Sequence, residues 1–368
     1  MGNTVTISGL QQSLLSKDLL DDVMRDVQNT MRFTGEDDNN VLQIKRDLQR
    51  EKGSNETFGM VARLSGDGVT GDDELEGNEE PMLSYDENVA IDQLRNAVRL
   101  KGKLDSQKVV YDQIKTAREK LRVWLKEMLI RQFFLKAGGV TNTTLVDTNG
   151  VVVGGRALWS NTPDFIPDAD EAAGTGARYY CVERTGTDSI AAGDILTLDA
   201  ITDVYTMARL ANPQIQPLDI DGESLYVMFV HPLSARDLRK SSDWKTAQEN
   251  AKVRSDKNPV FRAALGMWSN VILLENEFVP WLDVSVAGNS FRGAATGTDC
   301  QVDTARNLLC GRQAVLMAQA SSSETLVVEQ FDYKNKDGVA VSFIGGMQKA
   351  MFNSKEFGVI AVDAAAAL

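Results

Sequence analysis

The sequence predicts an α+β protein of mixed topology, and three observations carry that expectation. Residues 112–136 form one long rod with no glycine or proline. A glycine- and acid-rich excursion lies ahead of the rod, between two extended segments. Behind it, short apolar strands alternate with short helices down the rest of the chain.

The rod, DQIKTAREKLRVWLKEMLIRQFFLK, is rich in strong helix formers. Ile114, Ala117, Leu121, Trp124 with Leu125, Met128 and Phe133 recur near the 3.6-residue period of one buried stripe. Asp112 is placed to cap its start, and Gly138-Gly139 to stop it in a left-handed turn. At 1.5 Å per residue the rod is roughly 36 Å long, so something wide must lie along it.

The chain in order begins with residues 10–32, an amphipathic helix with Leu15, Leu19, Val23 and Val27 in register. After Gly35–Asn40, VLQIKRDLQREKG reads as a second, more polar segment. Together they read as an arm resting on other elements or on another subunit. TFGMVARL at 57–64 alternates Phe58, Met60, Ala62 and Leu64 as a strand does. NVAIDQLRNAVRL at 88–100 is a second extended candidate, and the residues between them have little to bury. That pattern fits a long projecting hairpin. Residues 138–198 read as loops and short strands, RYYCVER being one. A helix follows at Leu198–Leu210, stopped by Asn212-Pro213. LYVMFVHP and VILLENEFVP are buried strands, with SARDLRKSSDWKTAQENAK a polar helix or helix pair between them. NLLCGRQAVLMAQA and SETLVVEQFDYKNKDGVAVSFIGGMQKAMF read as strand, turn and strand, with Lys336-Asp337-Gly338 at a hairpin tip. FGVIAVDAAAAL supplies a last strand.

Composition narrows the function classes. The 368 residues are 43% hydrophobic and 25% charged, ordinary for a folded chain, with a net charge of -13. That charge disfavours nucleic-acid binding through a basic stripe, and acids at Asp112, Glu119 and Glu127 interrupt the basic residues of the rod. No apolar run is long enough for a membrane span, and no secretory signal is expected. Met1–Thr6 fits a myristoylation pattern, yet no basic cluster follows to supply the second signal that stable anchoring needs. Cys181, Cys300 and Cys310 are odd in number and widely spaced, which points to reduced thiols. His231, the only histidine, sits at a strand end before Pro232 and reads as structural.

Candidate chemistry falls away on inspection. Gly66, Gly68 and Gly71 spell GxGxxG, but Asp72, Asp73, Glu74 and Glu76 follow and would repel a pyrophosphate, so an exposed bend is expected. The run DDELEGNEE resembles a calcium loop until its twelfth position, which is Leu83 rather than a bidentate glutamate. No nucleophile elbow, phosphate loop or spaced metal-ligand cluster is present. No catalytic, cofactor-binding or metal-ligating residue is nominated, and the chain is expected not to be an enzyme.

The loop LSGDGVTGDDELEGNEE, then IDQLRNAVRLKGKLDSQKV, the helix AREKLRVWLKEML, YVMFVHPLSARDLRKSSDWKTAQENA, NPVFRAALGMW, VILLEN and FNSKEFGVIAVDAAAA carry a resemblance. In this order they are similar to the Hong Kong 97-type major capsid proteins of tailed bacteriophages, and most to the N-four-like coat proteins. The likeness runs from about Glu56 onward, and Gly66–Glu80 is its most specific part. It implies an N-terminal arm at 1–56 and an E-loop at 57–111 reaching over a neighbour. It further implies a P domain at 112–215 with spine helix 112–136, an A domain at 216–325, and a return to the P domain at 326–368. It also implies pentamers and hexamers in an icosahedral shell enclosing double-stranded DNA, made in the bacterial cytoplasm and residing in the virion. Its partners would be its own copies, a portal protein, and scaffold or decoration proteins, with no membrane. A nanocompartment shell of encapsulin type, or a soluble carboxylate-dependent enzyme, are the alternatives.

Overall fold

The computed structural model describes residues 33–47, 53–61, 68–71, 76–77, 79, 82, 84–140, 178–182, 190–211, 214–220, 222–251, 265–284, 302–320, 326–333, 335–352 and 355–367. The amphipathic stretch 10–32 lies outside them.

Strands β1 (Thr34–Gly35) and β2 (Leu42–Lys45) come first, then β3 (Asn55–Val61) and β4 (Ser84–Ala90), which pair with each other as an antiparallel hairpin. Strand β5 (Asp92–Arg99) follows after a break at Ile91, so the second extended candidate is two strands. Helix α1 (Lys103–Lys108) leads into the long rod, α2 (Gln113–Ala137). Beyond it come β6 (Tyr179–Cys181), α3 (Leu198–Leu210), β7 (Leu218–Ile220), β8 (Glu223–Val230), α4 (Pro232–Lys240) and α5 (Ser242–Ala251). The chain continues through β9 (Gly266–Trp268), β10 (Val271–Glu275), β11 (Trp281–Leu282), β12 (Thr304–Cys310) and β13 (Val315–Gln319). It ends with β14 (Leu326–Phe331), β15 (Lys336–Lys349), β16 (Met351–Phe352), β17 (Lys355–Glu356) and β18 (Val359–Ala365).

Two large sheets organise these elements. A six-stranded sheet runs β1-β2-β13-β15-β14, with β5 on the other side of β15. An eight-stranded sheet runs β6-β18-β12-β8-β10-β9, with β11 beside β12 and β7 beside β8. β8 shows why the second sheet is internal. Leu225, Val227 and Phe229 enter one apolar cluster, while Tyr226, Met228 and Val230 enter another, shared with α3 and α4. A strand buried on both faces reads as a continuous apolar run, as LYVMFV does.

Helix α2 joins the sheets. Asp112 accepts from the backbone N–H of Ile114 and Lys115 at 3.0 and 3.1 Å, an N-cap worth about 1 kcal/mol. At the far end Val140 N–H bonds to Leu135 O at 2.9 Å and Gly139 N–H to Lys136 O at 3.1 Å, with Gly139 at φ 59. The stop is therefore a Schellman closure whose left-handed residue is Gly139 alone. The first half of α2 buries a stripe, Ala117, Leu121 and Leu125, and the second half is buried nearly all round. Phe133, Phe134 and β8's Phe229 meet edge to face with centroids 5.1 to 5.7 Å apart, each pair worth about 1 kcal/mol beyond its buried area.

Several expectations need correction. Residues 42–45 are a buried strand pairing in parallel with β13, not part of a polar arm segment. Val41, Leu42 and Ile44 are apolar enough to enter the main cluster once β13 offers its edge. Lys336-Asp337-Gly338 is not a hairpin tip but the start of β15. The turn is at Asp332–Asn335, where Asp332 and Tyr333 take left-handed φ. Gly338 lies within the strand because the Phe331 ring occupies the space of a Cβ, 2.8 Å away. The sheets also draw together segments far apart in the chain. β2 and β13 belong with β15, whereas β6 and β18 belong with β8 and β12.

Candidate assembly surfaces

The β3–β4 hairpin is rooted on the outer face of the six-stranded sheet. Phe58 and Val89 are fully buried with Leu316, Ala318, Ala350 and Phe357 in a small cluster of their own. The root needs a bare backbone beneath it, since a Cβ on Gly346 would lie 1.9 Å from Ala90 O. Gln348 Nε2 donates to Glu87 Oε1 at 2.7 Å across the same junction. Partial burial, and then the neighbouring Asp86, raise the Glu87 carboxyl to about 6. Away from the root, Gly68, Gly71 and Gly77 take φ of 71, 72 and 91 in open space, and Met82 is 70% exposed. Gly68 and Gly71 of the GxGxxG string are thus exposed bends. Gly66 and residues 72–75 lie outside the described residues.

A second joint holds α2 to the eight-stranded sheet. Arg306 on β12 grips Asp363 on β18 with two parallel bonds, Nε to Oδ1 at 2.8 Å and Nη2 to Oδ2 at 2.7 Å. Its Nη1 donates to Gly138 O at 3.2 Å, which places a cation at the negative end of the α2 dipole. Tyr179 on β6 donates its hydroxyl to Asp363 Oδ2 at 3.0 Å. Both charged side chains are at most 2% exposed. A further buried pair, Lys349 Nζ to Glu356 Oε2 at 2.6 Å, joins the end of β15 to β17; burial lowers the Lys349 pKa.

His231 is structural in this arrangement. Its Nδ1 accepts from Leu233 N–H as the cap of α4, its ring stacks on Trp281 at 6.2 Å, and its backbone N–H donates to Asn307. Burial lowers its pKa from 6.5 to about 4. Protonation would turn the capping acceptor into a donor. The pair of states contributes about 3 kcal/mol above pH 6.5, lost progressively as the pH falls towards 4. Thermal unfolding of the wild type should therefore weaken between pH 6.5 and 4, more than that of His231→Asn, which retains a cap acceptor. Glu87 works in the opposite sense over the same range, because its raised pKa favours the folded state on acidification, so the comparison of the two chains isolates His231.

Cys181 and Cys310 are buried thiols, and burial raises Cys310 to about 12; Cys300 lies outside the described residues. Among the described residues no group of three or more His, Cys, Asp or Glu is disposed to hold a metal ion. No helix among them is long and apolar enough to cross a membrane. The basic residues of α2 do not form a clean stripe: Lys115 and Lys120 are exposed with Glu119 beside them, and Lys136 is buried.

The described residues form a two-sheet body with a hairpin rooted on its surface, and among them no group is disposed to hold a metal ion. The family model of phage capsid proteins matches residues 3–368. The chain belongs to the phage capsid protein family. This capsid protein is 29% identical over 349 residues to the major capsid protein of Pseudomonas phage KPP25, covering 91% of this chain and 90% of that one. The capsid of Ralstonia phage GP4 superposes with a TM-score of 0.76 at 27% identity, covering 91% and 90% of the two chains. The capsid asymmetric unit of cyanophage Pam1 shares the fold at a TM-score of 0.66 and 22% identity, covering 91% of each. The fold is Hong Kong 97-type, and the role is structural: copies of the capsid protein build the shell of a phage virion. The relatives are not enzymes, and they lend no support to the nanocompartment or carboxylate-enzyme alternatives.

Proposed function

We propose that this capsid protein forms the pentamers and hexamers of an icosahedral shell around double-stranded DNA, assembled in the host cytoplasm with a portal protein at one vertex and scaffold or decoration proteins as further partners. The observation carrying this reading is the hairpin that leaves the body on a six-residue apolar root. A long hairpin with so small a base is costly in chain entropy unless a neighbour supplies contacts along its length. Many weak contacts repeated around a closed shell then give a stable assembly. In this reading residues 1–56 are the arm, 57–111 the E-loop, 112–215 with the return at 326–368 the P domain around α2, and 216–325 the A domain.

Negative-stain microscopy of the purified protein and of virions tests the proposal; closed shells are expected, and a chain that stays monomeric under all assembly conditions and is absent from virions overturns it. Residues 65–87 contain no lysine, so no isopeptide link can start from that stretch. Intact shells boiled in denaturant should enter a gel as single chains of 40.3 kDa; a ladder of covalent oligomers would contradict this.

A further inference from the structure

The six-stranded sheet separates two kinds of charge. Successive residues of β13 point to opposite faces. Leu316 and Ala318 pack under the hairpin, whereas Val315 and Met317 join the cluster that holds Leu121 and Leu125 of α2. The hairpin and α2 therefore lie on opposite sides of one sheet. Residues 66–90, which run through the hairpin, carry nine carboxylates and no lysine or arginine, and Glu76, Glu79 and Asp86 among them are exposed. Helix α2 is the reverse, with seven Lys and Arg against two acids in a chain of net charge -13. As a whole these bases are scattered round the helix, but Lys115, Arg118, Arg122 and Lys126 recur at i, i+3, i+7 and i+11. At roughly 100° per residue they fall within about 80° of arc, on the flank next to the buried stripe of Ala117, Leu121 and Leu125. Lys115 is exposed and the other three are half-buried, as long side chains are when their stems lie on the body and their charges stay in water. Among the described residues no ion pair engages Lys115, Arg118 or Lys126. Glu119 borders the row and Glu127 falls on the other flank, so the row keeps an excess of positive charge.

We propose that this row of α2 lies against the packaged DNA duplex, with Lys115, Arg118 and Lys126 contacting backbone phosphates and Arg122 completing the line. The row is about 16 Å long, the length of about five nucleotide steps along one strand. The inference rests on the shell-forming reading and names which side of the chain faces the genome: the α2 side inward, the acidic hairpin side outward. Phosphate contacts carry no sequence information and permit sliding, while the acidic remainder of the chain repels the duplex. Contact is thereby confined to a narrow line in each copy, weak singly and multiplied over a shell.

The test uses DNA-filled virions and the same heads emptied by osmotic shock and nuclease. A small amine-reactive ester labels both, and peptide mass spectrometry reads each lysine, with exposed Lys240 on α4 as the reference. Relative to Lys240, Lys115 and Lys126 should react at least about threefold more slowly in filled heads, and added salt should narrow that difference. Equal reactivity in filled and emptied heads, or a slowing shared by Lys240, overturns the proposal. A second arm uses Lys115→Gln/Arg118→Gln/Lys126→Gln, with circular dichroism reading folding and light scattering reading shell yield. This variant should fold and form shells at the wild-type yield, and its filled heads should release DNA at a lower temperature than wild-type heads in low salt. A folded variant that forms no shells shows that the row meets another protein chain, and release indistinguishable from the wild type shows no contact with DNA; either overturns the proposal. Virions that lack this chain altogether overturn the shell-forming reading beneath it instead.

Discussion

Replacing Asp363 with alanine lowers the unfolding free energy by about 3–5 kcal/mol, because it strands the Arg306 guanidinium in a site from which water is excluded. The loss reaches three elements at once. Arg306 ties β12 to β18 through the carboxylate and to the C-terminus of α2 through Gly138 O, and the Tyr179 hydroxyl loses its acceptor on β6. Denaturant unfolding of the unassembled chain at low concentration measures the effect. The paired replacement Arg306→Met with Asp363→Leu should recover much of the loss, since removing both charges removes the penalty along with the attraction. A single Asp363→Ala chain within about 1 kcal/mol of the wild type would show that water reaches the guanidinium.

Phe58→Ala has the second large effect, and it separates folding from assembly. The ring is fully buried between the hairpin and the sheet, against Val89, Leu316, Ala318, Ala350 and Phe357, with Lys45 Nζ 5.1 Å from its centre. Its removal costs about 3–5 kcal/mol locally. Phe58 is the fully buried side chain that β3 gives to the root, with Met60 only half-buried beside it, so β3 and β4 should detach while the two sheets and α2 stay folded. The expected readout is fast amide exchange across 55–61 and 84–90, slow exchange retained across α2, and loss of shells. Normal shells from the Phe58→Ala chain would show that neighbours, not the root, hold the hairpin in place.

Local signals in the sequence foretold local structure well. The α2 rod starts and stops within a residue of its expected ends because Asp112 and the glycine pair are chemically explicit about capping. Helix α3 matches Leu198–Leu210 because Thr197 caps it and Asn212-Pro213 follows. What stayed hidden is pairing over distance. NLLC and AVLMAQA look like the two arms of one hairpin, yet β12 pairs with β8 and β18 whereas β13 pairs with β2 and β15. The turn before β15 falls elsewhere than expected because a Lys-Asp-Gly string signals a bend, while its glycine serves to clear the Phe331 ring. The ion pairs that join the sheets were equally silent: Arg306 and Asp363 are 57 residues apart, and nothing in either local sequence names the other.

The pairing of β2 with β13 has a bearing on biosynthesis. Residues 42–45 find their partner only at 315–318, and β18, made after both of its neighbours, lies between β6 and β12. A nascent chain therefore holds apolar strands open until these later strands have emerged, and such non-local topologies form slowly and aggregate readily. On a polysome crowded with identical half-made chains, the same delay keeps any of them from presenting a finished body to its neighbours, so joining waits for the later strands.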